Sequence, residues 1–312
     1  MLAPTVSVVI PLFNKEGSVE QCINSVLNQS FQDFEIIVIN DGSTDNSLEI
    51  VKSIIDSRIN IFSQPNAGVS AARNYGIEKS SCDLIAFLDA DDIWMPFFLD
   101  TVLSLFRDFP DAKWAATGYQ LQQAGKGQHK NIINGLPISF SRGLIDHYFR
   151  ICANSDPLVH SSSVCIHRKA IEKITGFPIG IYSGEDLLTW AKLAISFPLA
   201  YDIKPASSFY VSGINRKPDL NLAVAQELKY ILKANPKTKG LKEYLGLWFR
   251  MQAIAALKND DSIIARRMSV QSLYYHPIGF KNLYIAAITY LPISIGSSLD
   301  SLLRNWMRHL RQ

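Results

Sequence analysis

The chain predicts an α/β fold, a mainly parallel sheet flanked by helices, with a helical appendage at its C-terminal end. Three observations carry this. Short β-branched runs alternate with amphipathic stretches through the first hundred positions. The last of these runs closes on an acidic turn, Asp89-Ala90-Asp91-Asp92. Beyond Ser212 the strand pattern gives way to helical periodicity.

Each element follows from local pattern. Val6 to Leu12 reads as a buried strand, and Val19, Ile23, Val26 and Leu27 share one face of a helix over Ser18 to Leu27. Phe34 to Ile39 is a second strand, ending at Asn40-Asp41-Gly42-Ser43. Asp45 is expected to cap a helix running through Ile55. Ile59 to Phe62 gives a short strand, Val69 to Glu78 a helix, and Leu84 to Leu88 the fourth strand. Strands separated by helices imply a parallel sheet covered on both faces. Past the polar loop at 212–221, helices are expected over Leu220 to Leu232, Leu241 to Leu257 and Ser262 to Tyr275. The organisation expected is therefore a catalytic domain over 1–215 and a helical region over 216–312.

Asn282 to Leu299 carries no charge, but Pro292 and Gly296 interrupt it, and a spanning helix wants about 20 mainly apolar residues. Ser301 to Gln312 holds Arg304, Arg308 and Arg311 beside Trp306 with no acid. That composition suits an interfacial helix on an anionic membrane surface. A helix packed on the catalytic domain or on a second subunit has the same pattern, and both readings stay open.

Composition narrows the chemistry. The 312 residues are 47% apolar and 19% charged, the balance of a core-forming protein, and a net charge of +3 is too small to argue for nucleic acid. Cys22, Cys82, Cys152 and Cys165 form no CxxC pair, which suggests reduced thiols. The opening MLAPTVSVVIPLFN has no basic n-region and Pro11 breaks its apolar run, so it reads as a strand and the expected compartment is the cytoplasm. No G-x-G-x-x-G follows the first strand and no G-x-x-x-x-G-K-[ST] occurs, which removes the main support for dinucleotide and P-loop chemistry. The loop Pro11 to Glu16 is also unlike the Gly-rich, Arg-containing loop of a sugar nucleotidyltransferase. Diphosphate charge must then be met by a metal. Asp89 and Asp91, one residue apart where the chain bends after a strand, offer hard oxygen ligands suited to Mg²⁺ or Mn²⁺. Ligands of open α/β sheets bind at this edge.

SVVIPLFNKE at 7–16, INDGSTDNS at 39–47, NAGVSAARNYG at 66–76, FLDADD at 87–92 and GEDLLTW at 184–190 resemble, in order and spacing, the family-2 inverting glycosyltransferases of the GT-A fold, of bacterial surface-polysaccharide type. The resemblance covers roughly residues 5–212. It implies transfer of a sugar from a nucleotide-sugar, a UDP-hexose or UDP-N-acetylhexosamine, to a glycan or lipid-linked acceptor at the inner face of a membrane. It places Pro11, Phe13 and Glu16 at the nucleoside, Asp41 on the uracil imide N–H, and Arg73 on the base or the adjoining carboxylates. Asp89 falls at the ribose beside the metal and Asp91 is the metal ligand. Asp186 is the base, with Glu185 binding or orienting the acceptor. One departure stands out. Many relatives carry Tyr-Arg-x-His after the base helix, whereas Phe209 to Asn215 holds no histidine. The third metal ligand is then absent, a water, or supplied elsewhere; His160 is assigned to the acceptor side. A non-catalytic nucleotide-sugar or glycan-binding protein on the same fold is the rival reading, and the retention of both Asp91 and Asp186 speaks against it.

Overall fold

The computed structural model describes residues 4–123, 127–211, 220, 222–277 and 279–290. The arginines and Trp306 of the C-terminal tail, the run after Tyr290 and most of the polar loop after Val211 lie outside the described residues. The chain divides into two compact units, Met1–Gly213 and Ile214–Gln312.

The first unit opens with the expected alternation: β1 (Val6–Leu12), α1 (Val19–Leu27), β2 (Phe34–Asp41), α2 (Ser47–Ser53), β3 (Ile59–Gln64), α3 (Val69–Lys79) and β4 (Leu84–Phe87). It continues through β5 (Ile93–Trp94), α4 (Phe98–Asp108), β6 (Trp114–Gln123), β7 (Gly127–Lys130), β8 (Arg142–Ile145) and α5 (Tyr148–Cys152). A 3₁₀ turn at Ser161–Ser163 leads into β9 (Val164–His167), followed by α6 (Arg168–Lys173), α7 (Glu185–Ser196) and β10 (Leu199–Val211).

All ten strands join one sheet, in the order β3-β2-β1-β4-β9-β6-β10-β5, with β7 on β6 and β8 on β10. The β3-β2-β1-β4 half is parallel. β9 runs antiparallel between β4 and β6, pairing His167 with Leu84 and Cys165 with Ala86. Its direction matters for function: the turn before β9 arrives at the same edge as the end of β4. Every residue of β1 is buried, as a central strand covered on both faces requires. α3 packs so closely on it that a Cβ on Gly76 would stand 2.3 Å from a methyl of Val9.

Two local readings need correction. Pro11 does not follow the first strand; it lies buried inside β1, paired with Ile39. The ladder to β4 ends with Leu88 N–H donating to Val9 O, so the N–H that Pro11 lacks faces a side where β4 has already turned away. α2 stops at Ser53, and Asp45 serves its start from outside the helix, its Oδ1 accepting from the N–H and Oγ of Ser47 at 3.0 and 2.5 Å. The buried face of α7 is Leu188, Thr189, Trp190, Ala191 and Leu193, whereas Leu187 and Ile195 are half-buried. Trp190 draws the helix round because it stacks on Trp114 and meets Phe177 edge-on.

The second unit holds α8 (Leu222–Ala234), α9 (Leu241–Lys258), α10 (Ser262–Tyr275) and α11 (Phe280–Thr289). Leu241, Leu245, Trp248, Phe249 and Ala253 of α9 form its core. Arg250 donates to Asn282 Oδ1 at 2.6 Å, and Asn282 donates to His276 O, fixing the start of α11. Ile285 and Ile288 are buried there, so this part of the charge-free stretch packs on protein. Among the described residues no helix is long and apolar enough to cross a membrane. The four cysteines are buried and unpaired.

Candidate active site

The carboxyl ends of β1, β2 and β4, the start of α3, the turn before β9 and the start of α7 converge on one edge of the sheet. At the end of β2, Asp41 is buried and its carboxylate accepts three hydrogen bonds, from the Ala67 and Gly68 amides, each at 2.9 Å, and from Gln64 Nε2 at 2.7 Å. It therefore shapes the loop entering α3, where Gly68 has a φ of +89° that suits glycine. A carboxylate offers about four acceptor positions, so one remains beyond these three. Phe13 is 44% exposed beyond β1. Glu16 is committed locally: its Oε2 accepts from Asn46 N and its own N–H donates to Asp45, tying the loop after β1 to the start of α2.

The acidic turn after β4 is held from two directions. Ser162 Oγ accepts from the Asp89 amide at 3.0 Å and donates to Asp92 Oδ2 at 2.5 Å. Trp94 Nε1 donates to Ser162 O, locking the two turns together. Asp92 is 1% exposed and takes a further bond from Tyr210 N–H. Burial, reinforced by the charges of Asp89 and Asp91, pushes its carboxyl up to about 8. His160 Nδ1 accepts from Ser162 N–H at 3.2 Å, leaving Nε2 to carry the proton. Its ring lies 4.2 Å from that of Phe209, and burial outweighs the attraction of Asp89 to push it down to about 4. His160 is thus a neutral imidazole beside carboxylates: ligand atoms of Asp89, Asp92 and His160 all lie within 4.8 Å of one another. Asp91 faces outward and pairs with Lys15.

Arg73 joins this turn to the start of α7. Arg73 is 2% exposed, and its guanidinium donates to Asp89 Oδ1 at 2.8 Å and to Glu185 Oε1 at 3.2 Å, over the ring of Phe177. Burial opposes its charge, but Asp89 and Glu185 outweigh burial and hold it protonated. Among the described residues its buried Nε has no hydrogen-bond partner. Asn74, the next residue, clasps Phe177 through both backbone groups, donating to its O at 2.9 Å and accepting from its N–H at 2.8 Å. Asp186 is half-buried, its Oδ1 accepting from Leu187 N–H at 2.7 Å. Burial and the neighbouring Glu185 charge, offset in part by Arg73, push it up to about 7.

The structure thus brings Arg73, Asp89, Asp91, His160, Glu185 and Asp186 to one edge, with Asp41 shaping the adjoining loop, and leaves Pro11 in the core. Lys15, Asn74 and Ser162 escaped sequence reasoning, and Asp92 was read only as part of the acidic turn. Lys15 and Asn74 sit inside motifs already singled out, but their partners are 76 and 103 positions away. The donor set fits a divalent cation: among the described residues five carboxylates, those of Asp89, Asp91, Asp92, Glu185 and Asp186, gather here, the lysine and arginine ion pairs to them come from Lys15 and Arg73, and Lys15 already places a cation against Asp91.

Residues 7–175 match the family described as Glycosyl transferase family 2. The chain belongs to that family. An uncharacterized glycosyltransferase of Rickettsia bellii is 35% identical over 212 residues, which is 67% of this chain and 29% of that protein. The chain thus spans about a third of the length of the curated relatives it matches. Among solved structures, residues 1–349 of TarS from S. aureus in complex with UDP-GlcNAc align with a TM-score of 0.64 at 15% identity, covering 91% of this chain and 90% of that one. The mannosyltransferase PcManGT of Pyrobaculum calidifontis, in complex with GDP-Man and Mn²⁺, aligns at 0.59 and 17% identity, covering 97% and 88%. These likenesses show the GT-A fold, with its central sheet flanked by helices.

Proposed function

We propose that the chain moves a hexose or N-acetylhexosamine from a UDP-sugar to a hydroxyl of a glycan or lipid-linked acceptor, with inversion, and that residues 1–215 carry the reaction. The observation that carries this reading is Arg73, which grips Asp89 on the donor side and Glu185 on the base side with one buried guanidinium. Family membership and the nucleotide-sugar complexes of two fold neighbours support it.

Asp41 offers its remaining acceptor position to the uracil imide N–H, and Phe13 offers an exposed ring beside it. Asp89, kept ionised by Arg73, faces the ribose. Asp91 and Asp89 would hold a Mn²⁺ or Mg²⁺ ion, with a carboxylate oxygen of Asp92 within 4.8 Å of one of Asp89. When bound, the ion supplies stabilisation of the charge that develops on the leaving diphosphate. Asp186 takes the proton of the acceptor hydroxyl as that oxygen attacks the anomeric carbon opposite the leaving group. A base whose proton affinity lies near neutrality suits this role, and general base catalysis is worth ~10²–10⁴-fold. Glu185, fixed by Arg73, orients the acceptor beside it.

Donor turnover by the purified full chain, screened across UDP-, GDP- and dTDP-sugars with Mn²⁺, tests the reading. Turnover confined to UDP-sugars is expected. Turnover confined to GDP-sugars overturns the role given to Asp41, and turnover of none overturns the proposal.

A further inference from the structure

At the opposite edge of the same sheet lies a second site. Because β9 is antiparallel, the turn carrying His160 meets the end of β4 while His167 pairs with Leu84 at its beginning. There, beside α6, a cavity of about 380 Å³ is lined by Lys113, His167, Arg168, Lys169 and Lys173, with Asp83 as its one carboxylate. Four cations facing one acid leave an excess equal to the net charge of the whole chain, +3, gathered around one cavity.

The cations are not spent on each other's partners. Arg168 is a fixed wall, its guanidinium donating to the carbonyls of Ile77, Ser80 and Cys82. Lys113 gives one proton to Pro110 O at 3.0 Å, and Lys173 rests 4.7 Å above the ring of Phe197. Among the described residues none of the three lysines has a carboxylate at ion-pair distance. His167 stands edge-on to Phe106, and burial together with the Lys113 charge depresses its proton affinity, leaving a neutral ring with one N–H to donate. Lysine ammonium groups on flexible stems converge on multiply charged oxyanions as point charges, and the cavity holds roughly a dozen waters' volume. We infer that this cavity binds a phosphate-bearing anion, a diphosphate or phosphomonoester, at a site separate from the donor edge. The anion is either a free small molecule or the headgroup of an acidic lipid. This inference is independent of the reading of the donor site.

The test compares the full-length protein with the triple variant Lys113→Gln, Lys169→Gln, Lys173→Gln. Inorganic pyrophosphate is titrated calorimetrically without divalent ions, and phosphatidylcholine vesicles with and without phosphatidic acid are used in flotation. Any pyrophosphate held at the donor edge is common to both proteins, so the difference between them reports the cavity. The wild type is expected to bind at least about tenfold more tightly than the variant to one of the probes, since charge-assisted contacts each carry that weight. A difference confined to pyrophosphate identifies a soluble ligand; one confined to phosphatidic acid vesicles identifies a headgroup; either supports the site. Donor turnover and the thermal melt should be unchanged. Should the triple variant fold poorly, Lys169→Glu, at an exposed position, supplies the same comparison. Equal binding of both probes by wild type and variant, or no binding by the wild type, overturns it.

Discussion

Asp89 opens the turn after β4 and Asp186 lies in the first turn of α7, and their surroundings drive these two aspartates in opposite directions. Burial raises the proton affinity of both. At Asp89 the Arg73 guanidinium, at 2.8 Å and helped by Lys15, overcomes burial and keeps the carboxylate ionised. At Asp186 burial is joined by the Glu185 charge, Arg73 offsets them only in part, and the group settles at about 7. One buried cation thus sets two carboxylates apart, keeping Asp89 ionised on the proposed donor side and leaving Asp186 on the proposed base side poised to take a proton. Such separation by environment is how a site with several carboxylates assigns them different work.

The strongest way to break this comparison is to remove the base side alone. Asp186→Asn should lower turnover by ~10²–10⁴-fold, the usual weight of a positioned general base, while UDP affinity measured calorimetrically with Mn²⁺ stays within a few-fold. The pH profile sharpens the same point. A protonated Asp186 cannot accept the hydroxyl proton, so wild-type turnover at saturating donor should fall tenfold per unit as pH drops below about 7 and level off above it. If the variant lost UDP binding together with turnover, Asp186 would belong to the donor side and Glu185 would inherit the role of base.

The next test removes the divider. Arg73→Met leaves Asp89 and Glu185 buried or half-buried without their shared cation, and breaking such a pair costs about 3–5 kcal/mol. Urea unfolding of the variant should show that loss. The acid limb of any residual turnover should also move upward in pH, because Arg73 is the charge that lowers Asp186. A loss below about 1 kcal/mol would mean that solvent screens the pair and that the two sides are not coupled through Arg73.

The placement of the proposed donor-side carboxylates at strand ends was legible in the sequence, and the means of joining them to the start of α7 was not. β1, β2 and β4 announce themselves as apolar runs, and Asp41, Asp89 and Asp91 stand at their ends, where the chain must turn. Ser162 and His160 reach Asp89 and Asp92 only because β9 enters the sheet antiparallel, and nothing in HSSSVCIHR marks that direction. Asn74 and Phe177 likewise meet across 103 positions. Pro11 was read both inside the strand Val6 to Leu12 and in the loop after it, and the structure keeps it in the strand. Proline argues against a central strand, but the shortness of β4 leaves no donor needed at that point. The face of α7 followed Trp190, whose partner Trp114 belongs to a strand that carried no local signal.

The smallest expected effect lies at Lys15, which pairs with Asp91 on the donor side. Both side chains keep about a third of their surface in solvent, 38% and 33%, so the pair contributes roughly 0–1 kcal/mol to folding. Lys15→Met should therefore leave the urea midpoint almost unmoved, in contrast to Arg73→Met. Its consequence falls on the metal. The ammonium occupies one side of Asp91, and a divalent ion binding that carboxylate must displace it or share it. Freeing Asp91 of a partner worth at most about 1 kcal/mol should tighten Mn²⁺ binding, measured calorimetrically without donor, by no more than about fivefold. Weaker Mn²⁺ binding in the variant would show that Lys15 orders Asp91 for the ion. The donor side would then resemble the base side, with both of its working carboxylates depending on a cation of the protein's own.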